Sequence, residues 1–188
     1  WRPRELNTHE TEWGFSCMSY EISGALGIKM ANPNKEVISF VGDGSYLLNN
    51  TDIYSSVITK NKLIIIVCDN GGFAVINRLQ LFKGGNEYNN LLKSSNTPGL
   101  VDVDFAKHAE SMGAKSEHVN SISDLEEAFK RAKKSDVTYV ISIKTHAYQW
   151  LEGSAFWDSP TLEIPTTDEN KEALKLYKEG KSKQRQGV

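Results

Sequence analysis

Two apolar runs in this sequence end in the same kind of chemistry. Val37-Ile38-Ser39-Phe40-Val41 runs into Gly42-Asp43-Gly44-Ser45, and Leu63 to Cys68 runs into Asp69-Asn70-Gly71-Gly72. A lone Gly-Asp-Gly reads first as a tight turn between a strand and a helix. Two such elements, each closing an apolar strand and separated by residues 45–68, form a far more specific pattern. Parallel strands joined by one crossover deliver their carboxyl ends side by side, so Asp43 and Asn70 are expected to meet. One carboxylate and one amide oxygen, with room left for phosphate oxygens, suit a hard cation such as Mg2+. Gly42 and Gly44 permit close backbone approach, and a helix starting at Ser45 would offer amides to an anion. The chemistry implied is a metal-bridged diphosphate. A Walker loop is excluded because no Gly-Lys-Ser/Thr follows, and the G-x-G-x-x-G dinucleotide turn is absent.

Elements that can position such a pair surround it. Val37–Val41, Leu63–Cys68 and Val137–Ile143 are continuously apolar or β-branched, as strands buried on both faces of a parallel sheet are. Tyr20 to Met30 places Ile22, Ala25, Leu26 and Lys29 at helical spacing and stops at Asn32-Pro33. A helix after Gly44 can align Leu48, Ile53, Val57 and Ile58 before Lys60. Asp104 to Met112 is helical, with Gly113 at the C′ position. Ser123-x-x-Glu126 is a capping box for a helix that turns Leu125, Ala128, Phe129 and Ala132 to the core. The alternation predicts an α/β fold, doubly wound, with a mostly parallel sheet flanked by helices and a ligand at the carboxyl ends of its strands. Lys83 to Leu100, rich in Gly, Asn and Ser, reads as a long loop without period. Residues 166–188 read as a charged helix fraying into a basic, solvated tail. There is no internal repeat.

Bulk properties narrow the partners. A length of 188 residues, 39% hydrophobic and 24% charged, suits one well-buried domain. A formal net charge of -2 argues against nucleic acid. Leu63–Cys68 is the longest apolar run, far short of the ~20 residues that span a bilayer, so no membrane is expected. No charged-then-apolar leader opens the chain, so no secretory signal is read. Cys17 and Cys68 fit no metal or redox spacing, which suits a reducing, cytoplasmic setting, with Cys68 a buried small hydrophobe. His9, His108 and His118 read as solvent-facing. His146 and Glu163 lie at the end of the third strand or beyond, where substrate could reach, although a surface role is the default for both.

The paired motif resembles the thiamine diphosphate-binding motif of the acetolactate-synthase-like superfamily. The resemblance implies that Asp43 and Asn70 hold Mg2+ through their side chains and Gly72 through its carbonyl. It also implies that Gly42, Gly44 and Ser45 contact the phosphates. Gly14 to Gly27 (GFSCMSYEISGALG) is similar to the glycine-rich segment that receives the aminopyrimidine ring. Ser16 and Cys17 would lie along that ring, and Met18 matches the bulky residue that bends the cofactor. Within the superfamily the sequence resembles the trihydroxycyclohexane-dione hydrolases of myo-inositol catabolism. That likeness rests on Cys17–Gly27, GDGSYLL at Gly42–Leu48, DNGGFAVINRLQ at Asp69–Gln80, DFAKHAESMGAK at Asp104–Lys115 and the segment ending Leu162-Glu163-Ile164. Phe73, Ile76, Asn77, Leu79 and Gln80 carry the subfamily-specific part, and Phe73 joins the cofactor-binding set.

This resemblance implies hydrolysis of a C–C bond in a cyclic dione, a small-molecule substrate, by a homodimer or homotetramer. The activating glutamate belongs to a pyrimidine-binding domain that nothing here resembles. Residues 1–165 are therefore expected to be the C-terminal diphosphate domain, with no catalytic acid or base assigned inside this chain. Four departures bear on substrate and ring: Ser19 for a glycine, which would crowd the pyrimidine, Arg78 for a smaller polar residue, a short, Asn-rich region after Gln80, and Phe156-Trp157 for a tryptophan pair. Two alternatives stay open, an acetolactate-synthase-like carboligase or decarboxylase and a stand-alone, non-catalytic cofactor-binding module.

Overall fold

In a computed structural model of the chain, the three apolar runs are strands of one parallel sheet, and a fourth strand joins them. They are β1 (Ile38–Gly42), β2 (Ile64–Asp69), β3 (Lys115–Val119) and β4 (Tyr139–Lys144), in the spatial order β1-β2-β4-β3. The structure describes residues 3, 5–11, 17–96, 102–150 and 161–184. They divide into two units, Trp1–Asn70 with Val101–Thr145, and Gly71–Leu100 with His146–Val188. The first holds the sheet and helices α1 (Tyr20–Ala31), α2 (Asp43–Leu48) and α3 (Thr51–Ile58). The second holds α4 (Ala74–Phe82). Helices α5 (Phe105–Ser111) and α6 (Ile122–Lys134) return to the first unit, and α7 (Asp168–Ser182) belongs to the second. Among the described residues no helix is long and apolar enough to cross a membrane.

The first unit is an α/β layer structure with helices on both faces of the sheet. On one face Ile22, Ala25 and Leu26 of α1, Tyr46 of α2, Ile53 of α3, and Phe105 and Ala109 of α5 pack on Val41, Leu63, Ile65, Val67 and Val140. On the other, Ala128 and Ala132 of α6 cover Ile64, Ile66, Ile141 and Ile143. Burial on both sides is why β2 and β4 read as unbroken apolar runs.

Several local expectations are corrected. The helix expected after Gly44 is two helices, because Asn49 and Asn50 turn their side-chain amides to Ser23 Oγ (2.8 Å) and the Tyr46 carbonyl (3.2 Å). Asn side chains that bond locally compete with helix continuation. Leu48 and Ile58 are consequently 56% and 59% exposed, and Tyr46 takes the inward position. The cap of α6 is Ser121, whose Oγ accepts from Asp124 N at 3.1 Å, not Ser123. β3 escapes the apolar pattern because, at one edge of the sheet, only its Val119 is buried. There Glu117 accepts from Arg131 at 2.6 Å and from the Tyr139 hydroxyl. Asp104 caps α5 and Gly113, at φ 85°, follows it in the left-handed conformation as expected.

The second unit replaces the expected aperiodic loop with a bonded one. Leu91 is 2% exposed and bridges Gly72, and Leu92 N donates to the Gly71 carbonyl at 2.9 Å. Gly72 sits at φ 140°, and a Cβ there would collide with the Asn90 carbonyl oxygen, which itself accepts from Phe73 N at 2.7 Å. Asn77 of α4 donates to Glu87 at 3.0 Å, and Gln80 bonds both Asn86 and Asn90. The charged helix expected over the tail is observed as α7, with Asn170 and Ala173 its buried residues. Thr167 caps that helix, and buried Asn170 donates to the Gly84 carbonyl at 2.6 Å.

Candidate functional site

Register brings the two motifs level. Gly42 pairs with Cys68, so the chain leaves β1 as Asp43 where it leaves β2 as Asp69-Asn70. Asn70 N donates to Asp43 Oδ1 at 3.1 Å, and Asp43 is only 4% exposed. The expected meeting of residues 43 and 70 is thus observed through the Asn70 main chain. Helix α2 starts at Asp43, two residues before Ser45, so Gly44 and Ser45 fall in its first turn, where amides have no intrahelical partner. Tyr46 anchors this turn. It is fully buried, its hydroxyl lies 2.9 Å from His108 Nδ1, and its ring meets Phe105 edge-on at 5.1 Å. Burial pushes its phenol far above the ordinary range, so it stays a neutral hydrogen-bonding group. His108 is therefore half-buried and bonded, which corrects the solvent-facing expectation.

These residues fit a cation held with an anionic ligand. Gly42 has φ -75°, open to any residue, and a Cβ there would meet nothing within 4 Å. Neither backbone nor packing demands glycine at that point. Among the described residues no three His, Cys, Asp or Glu side chains converge on a metal. A buried carboxylate beside an asparagine instead matches Mg2+, which takes one or two protein oxygens and completes its shell with water and phosphate. Cys68 does not compete, since burial first and the Asp43 carboxylate second push its thiol up and keep it protonated.

Beside this pair stands a group that the sequence reading passes over. Asp69, 4% exposed, accepts from Lys144 Nζ at 2.7 Å, and the same ammonium reaches Asp102 at 2.9 Å. These two carboxylates hold the Lys144 ammonium above the ordinary lysine range. The Asp69 carbonyl also accepts from Thr145 N at 2.7 Å. Its sequence signal is slight, a lone lysine closing an apolar strand.

The remaining expected residues are scattered. Cys17 is exposed and Met18 is 46% exposed, so Met18 is no core residue. Ser16 and Phe156-Trp157 lie outside the described residues. Ser19 caps α1 at φ 76°, in the left-handed region that favours glycine, so its departure costs backbone energy at the helix start. Gly72 and Phe73 belong to the second unit, as do His146, whose Nδ1 accepts from Tyr148 N at 3.1 Å, and exposed Glu163. Arg78 lies over the Trp150 ring at 4.8 Å. Exposed His118 pairs its Nδ1 with Ser142 Oγ at 3.1 Å.

Comparison with known proteins places the chain in one family. The family described as "Thiamine pyrophosphate enzyme, C-terminal TPP binding domain" matches residues 1–143. A 3D-(3,5/4)-trihydroxycyclohexane-1,2-dione hydrolase of Shouchella clausii is 37% identical over 175 residues, 92% of this chain and 27% of that protein. The enzyme of the same name from Bacillus subtilis is 37% identical over 157 residues, 84% of this chain and 24% of its own. This chain thus spans about a quarter of the length of these curated relatives. A solved structure of the Rhodococcus jostii RHA1 thiamine diphosphate-dependent 4-hydroxybenzoylformate decarboxylase superposes with a TM-score of 0.57 at 27% identity. It covers 69% of this chain and 23% of that one.

Proposed function

The chain belongs to the thiamine pyrophosphate enzymes as a C-terminal TPP binding domain, and from that premise we propose that Asp43 and Asn70 hold Mg2+ against the cofactor diphosphate. The contact between these residues at the ends of β1 and β2 carries the reading. Asp43 brings the charge, oriented by the Asn70 amide, and Asn70 brings a neutral amide oxygen. Gly42 and Gly44 leave room for the phosphates, Ser45 offers a hydroxyl, and exposed Cys17 and Met18 face the ring portion. Thiamine diphosphate, when bound, supplies the nucleophile and electron sink. These side chains bind and orient; none of them gives or takes a proton.

For the whole protein, the likeness to named trihydroxycyclohexane-dione hydrolases supports hydrolysis of a C–C bond in a cyclic trihydroxy-dione during inositol degradation. The working form is a cytoplasmic homodimer or homotetramer. In it residues 1–165 are the diphosphate domain, 166–188 a charged helical tail, and the cofactor-activating group comes from outside this chain.

Calorimetry of the chain tests the site. Thiamine diphosphate is expected to bind only with Mg2+, and Asp43→Ala to abolish binding; tight binding that survives the substitution overturns the assignment. Turnover by the whole protein tests the reaction. Activity on pyruvate with none on the dione would move the reading to a carboligase or decarboxylase, and activity on neither to a binding module.

A further inference from the structure

We propose that Lys144 is a positioning residue that neutralises Asp69, so that a cation at the ends of β1 and β2 answers to Asp43 rather than to two adjacent buried carboxylates. The proposal rests on the cation reading of Asp43 and Asn70 given above.

The geometry is specific to these strands. Asp69 and Lys144 are register partners on β2 and β4, so their side chains leave the sheet on the same face. The ammonium lies 2.7 Å from Asp69 and 2.9 Å from Asp102. The main chain of Asp69 is tied to the same strand through Thr145 N. Asp69 immediately precedes Asn70, whose amide bonds Asp43, so a charge left on Asp69 would act through space on a cation held there.

Burial decides which partner matters. Asp69 is shut away from water, where an ionised carboxylate needs a close counter-charge. Asp102 is largely exposed, and solvent screens its share of the ammonium. With Asp69 neutralised, the position is a weak site for a bare cation and needs the oxygens of an anionic ligand to complete it. Lys144 thereby couples cation occupancy to ligand occupancy. It touches neither of them.

Mn2+ alone, followed by paramagnetic broadening of the Asn70 and Gly44 amide signals, tests this without catalysis. Asp69→Asn leaves the ammonium with only the exposed Asp102 for a partner, and the Mn2+ dissociation constant is expected to rise about tenfold, a figure for one charge near a divalent ion. Asp69→Asn combined with Lys144→Met removes both charges at similar volume and should return binding to within about twofold of the wild-type chain. Lys144→Met alone should tighten it about tenfold. The contrast between Asp69→Asn and the double variant decides the matter even where the single lysine variant folds poorly. A merely structural role leaves the double variant as weak as Asp69→Asn, and that result, or wild-type affinity in Asp69→Asn, overturns the proposal. Asp43→Asn should abolish the broadening. If it does not, or if the wild-type chain shows none at these amides, the cation reading itself falls and the Lys144 proposal with it.

Discussion

The two units are held together by different forces. In the first, both faces of a parallel sheet are covered, and Ile64, Ile65, Val67 and Ile141 are fully removed from water. In the second there is no sheet among the described residues; a bridge between Gly72 and Leu91, the buried Ala74, Leu91 and Ala173, and a set of side-chain amides hold it. Asn77, Gln80, Asn90 and Asn170 spend their hydrogen bonds on a loop and on main-chain carbonyls. Apolar burial is non-directional and tolerates small shifts, whereas an amide bond holds one geometry and is costly when a buried partner is orphaned. The first unit can therefore carry charged groups at its strand ends without losing its core, and the second depends on individual polar side chains.

Substitutions can break this contrast. Ile65→Ala, in the middle of β2, should lower the first unit's stability by about 3 kcal/mol in urea titration, through lost transfer energy and a cavity. Asn170→Ala should cost about 1–2 kcal/mol, because the Gly84 carbonyl loses its donor, read as faster amide exchange in α7. A loss as large as that of Ile65→Ala would mean that the polar bonds hold as firmly as the core. Ser19→Gly should raise the melting temperature, by about 1 kcal/mol of stability, since it relieves a left-handed conformation. The smallest effect is expected at Glu117. Arg131 and then Tyr139 donate to its carboxylate and hold it below the usual carboxylate range against the cost of burial. Its stabilisation is present above the ordinary glutamate range and disappears as pH falls through the depressed folded value. Glu117→Gln should therefore be slightly less stable than wild type at neutral pH and converge with it in acid, in paired denaturation curves.

The same contrast governs how much can be read from sequence. β2 and β4 are legible because burial on both faces imposes an apolar pattern, and β1, although at an edge with Phe40 exposed, because its residues stay apolar or β-strand-forming. β3 is not, because an edge strand carrying Lys115, Glu117 and His118 lacks that pattern. Asp43 and Asn70 are legible because glycines and neighbouring strands mark them. Lys144 is hidden because its partner is set by register between strands that are not consecutive, which no local spacing encodes. The Asn-rich segment after Gln80 looks structureless for a related reason, since side-chain hydrogen bonds have no period. The left-handed Ser19 shows only in the backbone.

The topology also sets an order of assembly. Asn70 reaches Asp43 within one crossover, at a separation of 27 residues, whereas β4 joins β2 only after two further crossovers. Shorter loops close at lower entropic cost, and local contacts form faster. During refolding the amide of Asn70 should thus gain protection from exchange before that of Thr145, which bonds Asp69 from the end of β4. The Asp43–Asn70 contact is nucleated early and the ammonium that balances Asp69 arrives late, so a nascent chain carries Asp69 without Lys144 until β4 docks.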